Sequence, residues 1–186
     1  MRKAGATAVL MAVLATVPAV ADVLVPSLDG AMVNPLRDPG AKAVVLLFTR
    51  SDCPISNRYA PEVQALSDKY SPDGVRFWLV YVNPRESDDT VRKHVREYHY
   101  HFGALIDRKH QLVDLTKATV TPEAAVYSAG QIIYRGRIDD RYVSFGKARQ
   151  APGEHDLAAV LDAIRAGKTV APRTTHAVGC FIEDLK

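Results

Sequence analysis

The stretch Ala43-Val44-Val45-Leu46-Leu47-Phe48-Thr49-Arg50-Ser51-Asp52-Cys53-Pro54-Ile55-Ser56 changes character halfway. Its first half, Ala43 to Thr49, is a continuous apolar run rich in β-forming residues, which predicts a strand buried on both faces at the centre of a parallel sheet. Its second half reads as a helix start. Pro54 suits the first helical turn, where its missing N–H is not needed. A helix N-terminus presents unpaired N–H groups and about half a positive charge, and both favour a thiolate over a thiol. The Cys53 pKa is therefore expected to lie below the ordinary thiol value. Ser56 is spaced to donate to the sulfur. Arg50 and Arg58 are expected to add positive charge and Asp52 to oppose it.

Beyond this stretch, Tyr59, Val63, Leu66 and Tyr70 form one stripe of an amphipathic helix that ends before Pro72 and Gly74. Val75 to Val82 reads as a second buried strand, and Ser87-Asp88-Asp89 as the cap of a second helix carrying Val91, Val95, Tyr98 and Phe102. Ala104 to Ile106 is a short strand. Ala124 to Tyr127 and Ile132 to Ile138 flank the turn Ser128-Ala129-Gly130-Gln131 as an antiparallel hairpin. Leu157, Val160, Leu161 and Ile164 mark a last helix stopped by Gly167, with an extended tail from about residue 168. Upstream, Asp29-Gly30 between short apolar runs predicts a small hairpin with an exposed tip. The whole is an α/β protein with a mixed central β-sheet flanked by helices.

Composition agrees with one soluble globular domain: 186 residues, 47% hydrophobic and 24% charged, without a visible repeat. A net charge of +3, scattered along the chain, argues against nucleic acid as a partner. Two cysteines, Cys53 and Cys180, exclude a disulfide-dense miniature fold and an all-cysteine zinc site. At the N-terminus, Arg2 and Lys3 precede the apolar Ala8 to Ala15, and Ala19-Val20-Ala21 follows as a small-x-small cleavage pattern. Residues 1–21 therefore read as a secretory signal peptide, leaving 22–186 as the domain, in the periplasm or secreted. Pro18 and Asp22 cut the apolar stretch short of a stable membrane span.

A strand followed by Cys53-Pro54-Ile55-Ser56 at a helix start resembles the thioredoxin-like redoxins, of the AhpC/TSA and thiol–disulfide oxidoreductase type in secreted bacterial proteins. Val120-Thr121-Pro122 ahead of a strand is similar to that family's cis-proline loop, and cis X–Pro bonds are a minority. The resemblance implies a thioredoxin-like fold over nearly the whole of residues 22–186. It also implies that Pro122 lies beside Cys53 and that Thr121 offers its backbone to an extended substrate. The chain departs from the family in several places. Ser56 replaces the second thiol of a Cys-x-x-Cys motif, Leu47 stands where thioredoxins bury a carboxylate, and Asp52 stands where they carry a tryptophan. The proline and threonine of a peroxide pocket are replaced by Leu46 and Arg50, and only Arg135 or Arg137 could supply its arginine.

Cys180 sits near the chain end, where a flexible tail can carry it to Cys53, either as a resolving thiol or in a permanent structural disulfide. An intrachain bridge would stabilise the fold by roughly 4 to 5 kcal/mol in the chain-entropy model. His94 and His101 share a helix face and read as solvated, His110 reads as a turn residue, and Asp139-Asp140 with Arg137 and Arg141 as a charged surface ledge. The expected function is an exported thiol–disulfide oxidoreductase with Cys53 as nucleophile and Cys180 as candidate resolving thiol. Its partners would be a protein or small-molecule disulfide or peroxide and an external thiol reductant; no cofactor or metal is expected. Two alternatives stand beside it. One is a peroxiredoxin-like antioxidant; the other is a Cu(I)-binding delivery protein using Cys53 with His110 or His176.

Overall fold

The computed structural model describes residues 22–185, so the expected signal peptide, residues 1–21, lies outside the described residues. In chain order the elements are β1 (Val25–Pro26), β2 (Met32–Val33), β3 (Ala43–Thr49), α1 (Pro54–Tyr70), β4 (Val75–Tyr81) and α2 (Asp88–Glu97). There follow β5 (Gly103–Ile106), α3 (Gln111–Thr116), β6 (Val120–Thr121), β7 (Glu123–Ser128) and β8 (Gln131–Gly136). The last are β9 (Tyr142–Ser144), β10 (Lys147–Ala148), α4 (Asp156–Arg165), β11 (Arg173–Thr174) and β12 (Cys180–Phe181). A single turn of 3₁₀ helix, Ser71–Asp73, joins α1 to β4.

The central sheet has the order β11-β8-β7-β3-β4-β5. Strands β3, β4 and β5 run parallel, while β7 is antiparallel to both β3 and β8. This is the mixed sheet expected of a thioredoxin-like α/β fold. Every residue of β3 is buried, because helices cover both faces of its sheet. On one face, Val45 and Leu47 pack with Tyr59, Val63, Leu66 and Tyr70 of α1 and with residues of α2 and α4. On the other, Val44, Leu46 and Phe48 meet Leu112 and Val113 of α3 and Val25 of the N-terminal hairpin. The β7–β8 turn has positive φ at Ala129 and Gly130, the geometry of a type I′ hairpin. No helix among the described residues is long and apolar enough to cross a membrane.

Two regions differ from expectation. The expected charged ledge is buried: Tyr59 Oη donates to Asp139 Oδ1, which also accepts from the Arg141 N–H at 2.9 Å. Asp140 accepts from the N–H groups of Gly153 (2.7 Å) and Glu154 (3.0 Å). These carboxylates hold together the loop leaving β8: backbone N–H groups and the Tyr59 hydroxyl satisfy them, and among the described residues the expected ion pairing is present only as Arg149–Asp140 at 3.2 Å. The tail beyond residue 168 is extended as expected, yet it is docked. Its β11 joins the main sheet beside β8, and β12 pairs with β6 in a small separate ladder.

Candidate active site

Topology alone brings the candidate residues together. Strand β3 is parallel to β4 and antiparallel to β7, so the segments after β3, after β4 and before β7 all emerge at one edge of the sheet. Those segments carry Cys53, Glu86 and the Thr121–Pro122 peptide, which is cis. Crevices outside the carboxyl ends of parallel strands are the usual ligand sites of open α/β sheets.

Cys53 is the N-cap residue of α1, with Pro54 in the first turn. The Ser56 N–H approaches Cys53 Sγ at 3.5 Å, and the Asn57 N–H donates to the Cys53 carbonyl at 3.0 Å. Cys53 Sγ also lies 3.1 Å from the Thr121 carbonyl oxygen, which accepts from the thiol while it is protonated. Burial pushes this thiol up. The Ser56 hydroxyl and N–H, the Cys180 thiol and Thr121 outweigh burial and hold it below its ordinary value. The hydroxyls of Ser56 and Thr121 are buried without another hydrogen-bond partner, and both residues lower the Cys53 thiol.

Cys180 Sγ lies 3.0 Å from Cys53 Sγ, across 127 positions of sequence, and both thiols are free. Cys180 pairs with Thr121 in the antiparallel β12–β6 register, and the Ile182 N–H continues the ladder to the Thr119 carbonyl at 3.0 Å. The approach is close enough to require glycine at 179, where a Cβ would sit 2.1 Å from the Thr121 carbonyl oxygen. Burial, then hydrogen bonding and charge from Cys53, push the Cys180 thiol up to about 11, against a smaller opposing pull from Arg50. The two sulfurs thus differ in character. Cys53 is shifted toward the thiolate and Cys180 toward the protonated thiol. With the tail docked, Cys53 is only 1% exposed.

The cationic support expected around Cys53 is not assembled. Arg50 is bound bidentately to Asp52, at 3.0 and 2.9 Å, and its remaining field falls on Cys180 and Glu183. Asp52 is paired with Arg50, and Arg58 is exposed on the solvent side of α1. Arg137 is held by Asp156 and Glu154, and Arg135 by Glu123 and the Lys117 carbonyl, so neither reaches the sulfur. Leu46 and Leu47 are packed in the core.

Several site residues had no separate signal in the sequence. Glu86, buried after β4, accepts from the Ser51 N–H (2.8 Å) and hydroxyl (2.7 Å) and fixes the turn before Cys53. Glu123 follows the cis proline and accepts from the Thr119 N–H at 2.7 Å, holding that loop. His94 is buried rather than solvated, because Tyr81, Tyr98 and Tyr100 close around its ring, whereas His101 is exposed and paired with Asp68. His110 begins α3 in a left-handed conformation, with Nε2 2.7 Å from the Val82 carbonyl; His176 is exposed. Among the described residues no group of three His, Cys, Asp or Glu side chains is arranged to hold a metal ion. An apolar hollow of about 490 Å³, lined by Val120, Val143, Phe145, Ala177, Val178 and Phe181, adjoins Cys180.

A cysteine at a helix start, beside a cis-proline peptide on a mixed sheet, defines the class of thioredoxin-like proteins. Within that class the chain belongs to the AhpC/TSA family, whose model matches residues 19–138. Its fold is similar to a hypothetical protein from Sinorhizobium meliloti 1021, at 24% identity and TM-score 0.75 over 89% of this chain and 92% of that one. It is equally similar to an uncharacterized conserved protein from Geobacillus kaustophilus, at 26% identity and TM-score 0.75 over 87% and 88%. A secreted Mycobacterium tuberculosis disulfide oxidoreductase matches at 19% identity and TM-score 0.54, over 78% of this chain and 95% of that one. No curated protein matches the chain.

Proposed function

We propose that the protein is an exported thiol–disulfide oxidoreductase in which Cys53 is the nucleophile and Cys180 the resolving thiol. The observation that carries this reading is the pair of free sulfurs 3.0 Å apart, one lowered and one raised in pKa. The Cys53 thiolate attacks one sulfur of a client disulfide. That S–S bond breaks, a Cys53–client disulfide forms, and the other client sulfur leaves as a thiolate that takes up a proton. Consumption of the Cys53 anion removes the charge and hydrogen bond that kept Cys180 protonated, while the pull of Arg50 remains. Cys180 then loses its proton to solvent and attacks the Cys53 sulfur. The Cys53–Cys180 bond forms and the client's second thiolate departs. The client has gained two electrons, and an external dithiol returns two to the bridge.

Access follows from how lightly the tail is held. The two residues of β12, the Ile182–Thr119 hydrogen bond, the half-buried Ile182 against the core and an exposed Arg85–Glu183 ion pair anchor it, and a client reaches Cys53 when residues 179–185 swing away. Pro54 starts the helix, Ser56 feeds the sulfur hydrogen bonds, and Thr121 with Pro122 forms the edge that the tail vacates for the client. Export is supported by the leader-like residues 1–21 and by the secreted character of the Mycobacterium tuberculosis neighbour. Disulfides are favoured over peroxides as substrate because Leu46 and Arg50 supply no donor toward Cys53.

The test is trapping with a disulfide client of the reduced protein. Cys180→Ser accumulates a Cys53–client mixed disulfide, wild type passes on to an internal bridge, and Cys53→Ser does neither. A mixed disulfide that forms on Cys180 in the Cys53→Ser protein as fast as on Cys53 overturns the assignment.

A further inference from the structure

The polar groups of Ser51, two residues ahead of Cys53, are held from two sides. Glu86 takes its N–H and hydroxyl, and its carbonyl accepts from Asn57 Nδ2 at 3.0 Å. Behind Asn57 the chain of bonds runs inward. Asn57 Oδ1 is 2.8 Å from His94 Nε2, and His94 Nδ1 is 2.6 Å from Tyr81 Oη.

The protons along this chain are fixed by elimination. Asn57 uses its NH₂ group on Ser51, so the atom facing His94 is an oxygen, and Nε2 must carry the ring hydrogen. In a neutral ring Nδ1 then accepts from the Tyr81 hydroxyl. Each contact along the chain then joins one donor to one acceptor. The ring is 4% exposed between Tyr81, Tyr98 and Tyr100, and burial holds its pKa below the ordinary value against the pull of Glu97, which keeps it neutral as the chain requires.

We infer that His94 is a positioning residue for Cys53, acting through Asn57 and the Ser51 carbonyl. Asn57 grips both sides of the cysteine: its backbone N–H closes the first helical turn onto the Cys53 carbonyl, and its side chain holds the turn that delivers Cys53 to that position. Without the His94 donor, Asn57 Oδ1 loses its partner and the amide is free to turn away from Ser51. The contact that this loosening weakens first is the long one, 3.5 Å from the Ser56 N–H to the sulfur. The inference rests on the reading of Cys53 as the reactive thiol.

The experiment measures Cys53 alkylation rate against pH in the Cys180→Ser background, comparing His94→Leu, His94→Gln and Asn57→Leu. Glutamine can present an N–H near the Nε2 position; leucine cannot. His94→Leu and Asn57→Leu are expected to alkylate about tenfold more slowly at neutral pH, the change that one pKa unit produces, and His94→Gln to keep the parental profile. If His94→Leu fails to fold, His94→Met, which fills the buried space without an N–H, takes its place, and Asn57→Leu reports on the Asn57 link alone. A depressed parental midpoint that survives unchanged in the folded leucine or methionine variants overturns the inference and leaves the reading of Cys53 standing. A parental midpoint at the ordinary thiol value overturns that reading and the inference with it.

Discussion

Cys53 and Cys180 touch, yet the regions that carry them are built in opposite ways. Cys53 rides between a seven-residue buried strand and a 17-residue helix, with its turn held by Glu86 on one side and Asn57 on the other. Cys180 rides on a two-residue strand at the end of a docked tail, followed by the exposed Phe181. The difference separates two requirements of thiol exchange. A nucleophile needs fixed donors around its sulfur, whereas a resolving thiol has to arrive and leave. Under the proposed roles, the first region would supply rigidity and the second mobility.

The contrast predicts unequal responses to mutation. The largest effect is expected from Glu86→Ala, which leaves the Ser51 N–H unpaired and removes two bonds to a carboxylate. Denaturant titration should show about 2 to 3 kcal/mol of lost stability, together with slower Cys53 alkylation. Gly179→Ala comes next. Its Cβ cannot fit 2.1 Å from the Thr121 carbonyl oxygen, so β12 must shift, at a cost of about 1 to 3 kcal/mol. Its sharper signature is kinetic: quench-flow after oxidant should find bridge formation slowed about tenfold or more, an effect of about 1.4 kcal/mol on the barrier, with Cys53 alkylation intact. The smallest effect belongs to Arg85→Ala. Loss of its exposed pair with Glu183 should change stability by less than about 1 kcal/mol, in a salt-sensitive way, while making Cys53 more accessible to alkylation.

The two thiols also predict opposite slopes of stability against pH in the reduced protein. Cys53 has its folded pKa lowered, so below the ordinary thiol value the unfolded chain binds more protons and stability rises with pH. Cys180 has its folded pKa raised to about 11, so its contribution is present below the unfolded value and is lost as pH climbs toward 11. Comparing wild type with each single serine variant by urea titration across this range checks both signs. Slopes of the same sign would erase the distinction between the two regions.

The strand–cysteine–proline unit is legible because each part carries a local signal: an unbroken apolar run for β3, a proline suited to a first turn at 54, and the stripe Tyr59, Val63, Leu66 and Tyr70 for α1, which runs on through the interior Pro61. Cys180 was legible as a candidate but its docking was not, since a two-residue strand has no periodicity to read. Helix α3 and the β9–β10 hairpin escaped for the same reason of shortness. The cationic support expected from Arg58 and Arg50 is absent because nearness in sequence does not fix where a long side chain points. Arg58 faces solvent and Arg50 finds Asp52. The position of His94 on a polar helix predicts solvation, yet the side chain is buried. Its burial comes from Tyr81 on another strand and from Tyr98 and Tyr100 beyond the helix end, a closure that no helical spacing encodes.

The most direct test is a redox titration of the wild-type protein with mass mapping of tryptic fragments at each potential. A single two-electron transition that joins the Cys53 and Cys180 peptides within one chain is the predicted result. Oxidation that leaves Cys180 free while Cys53 is bridged to another molecule or driven to sulfinic acid would contradict the pairing on which the mechanism depends.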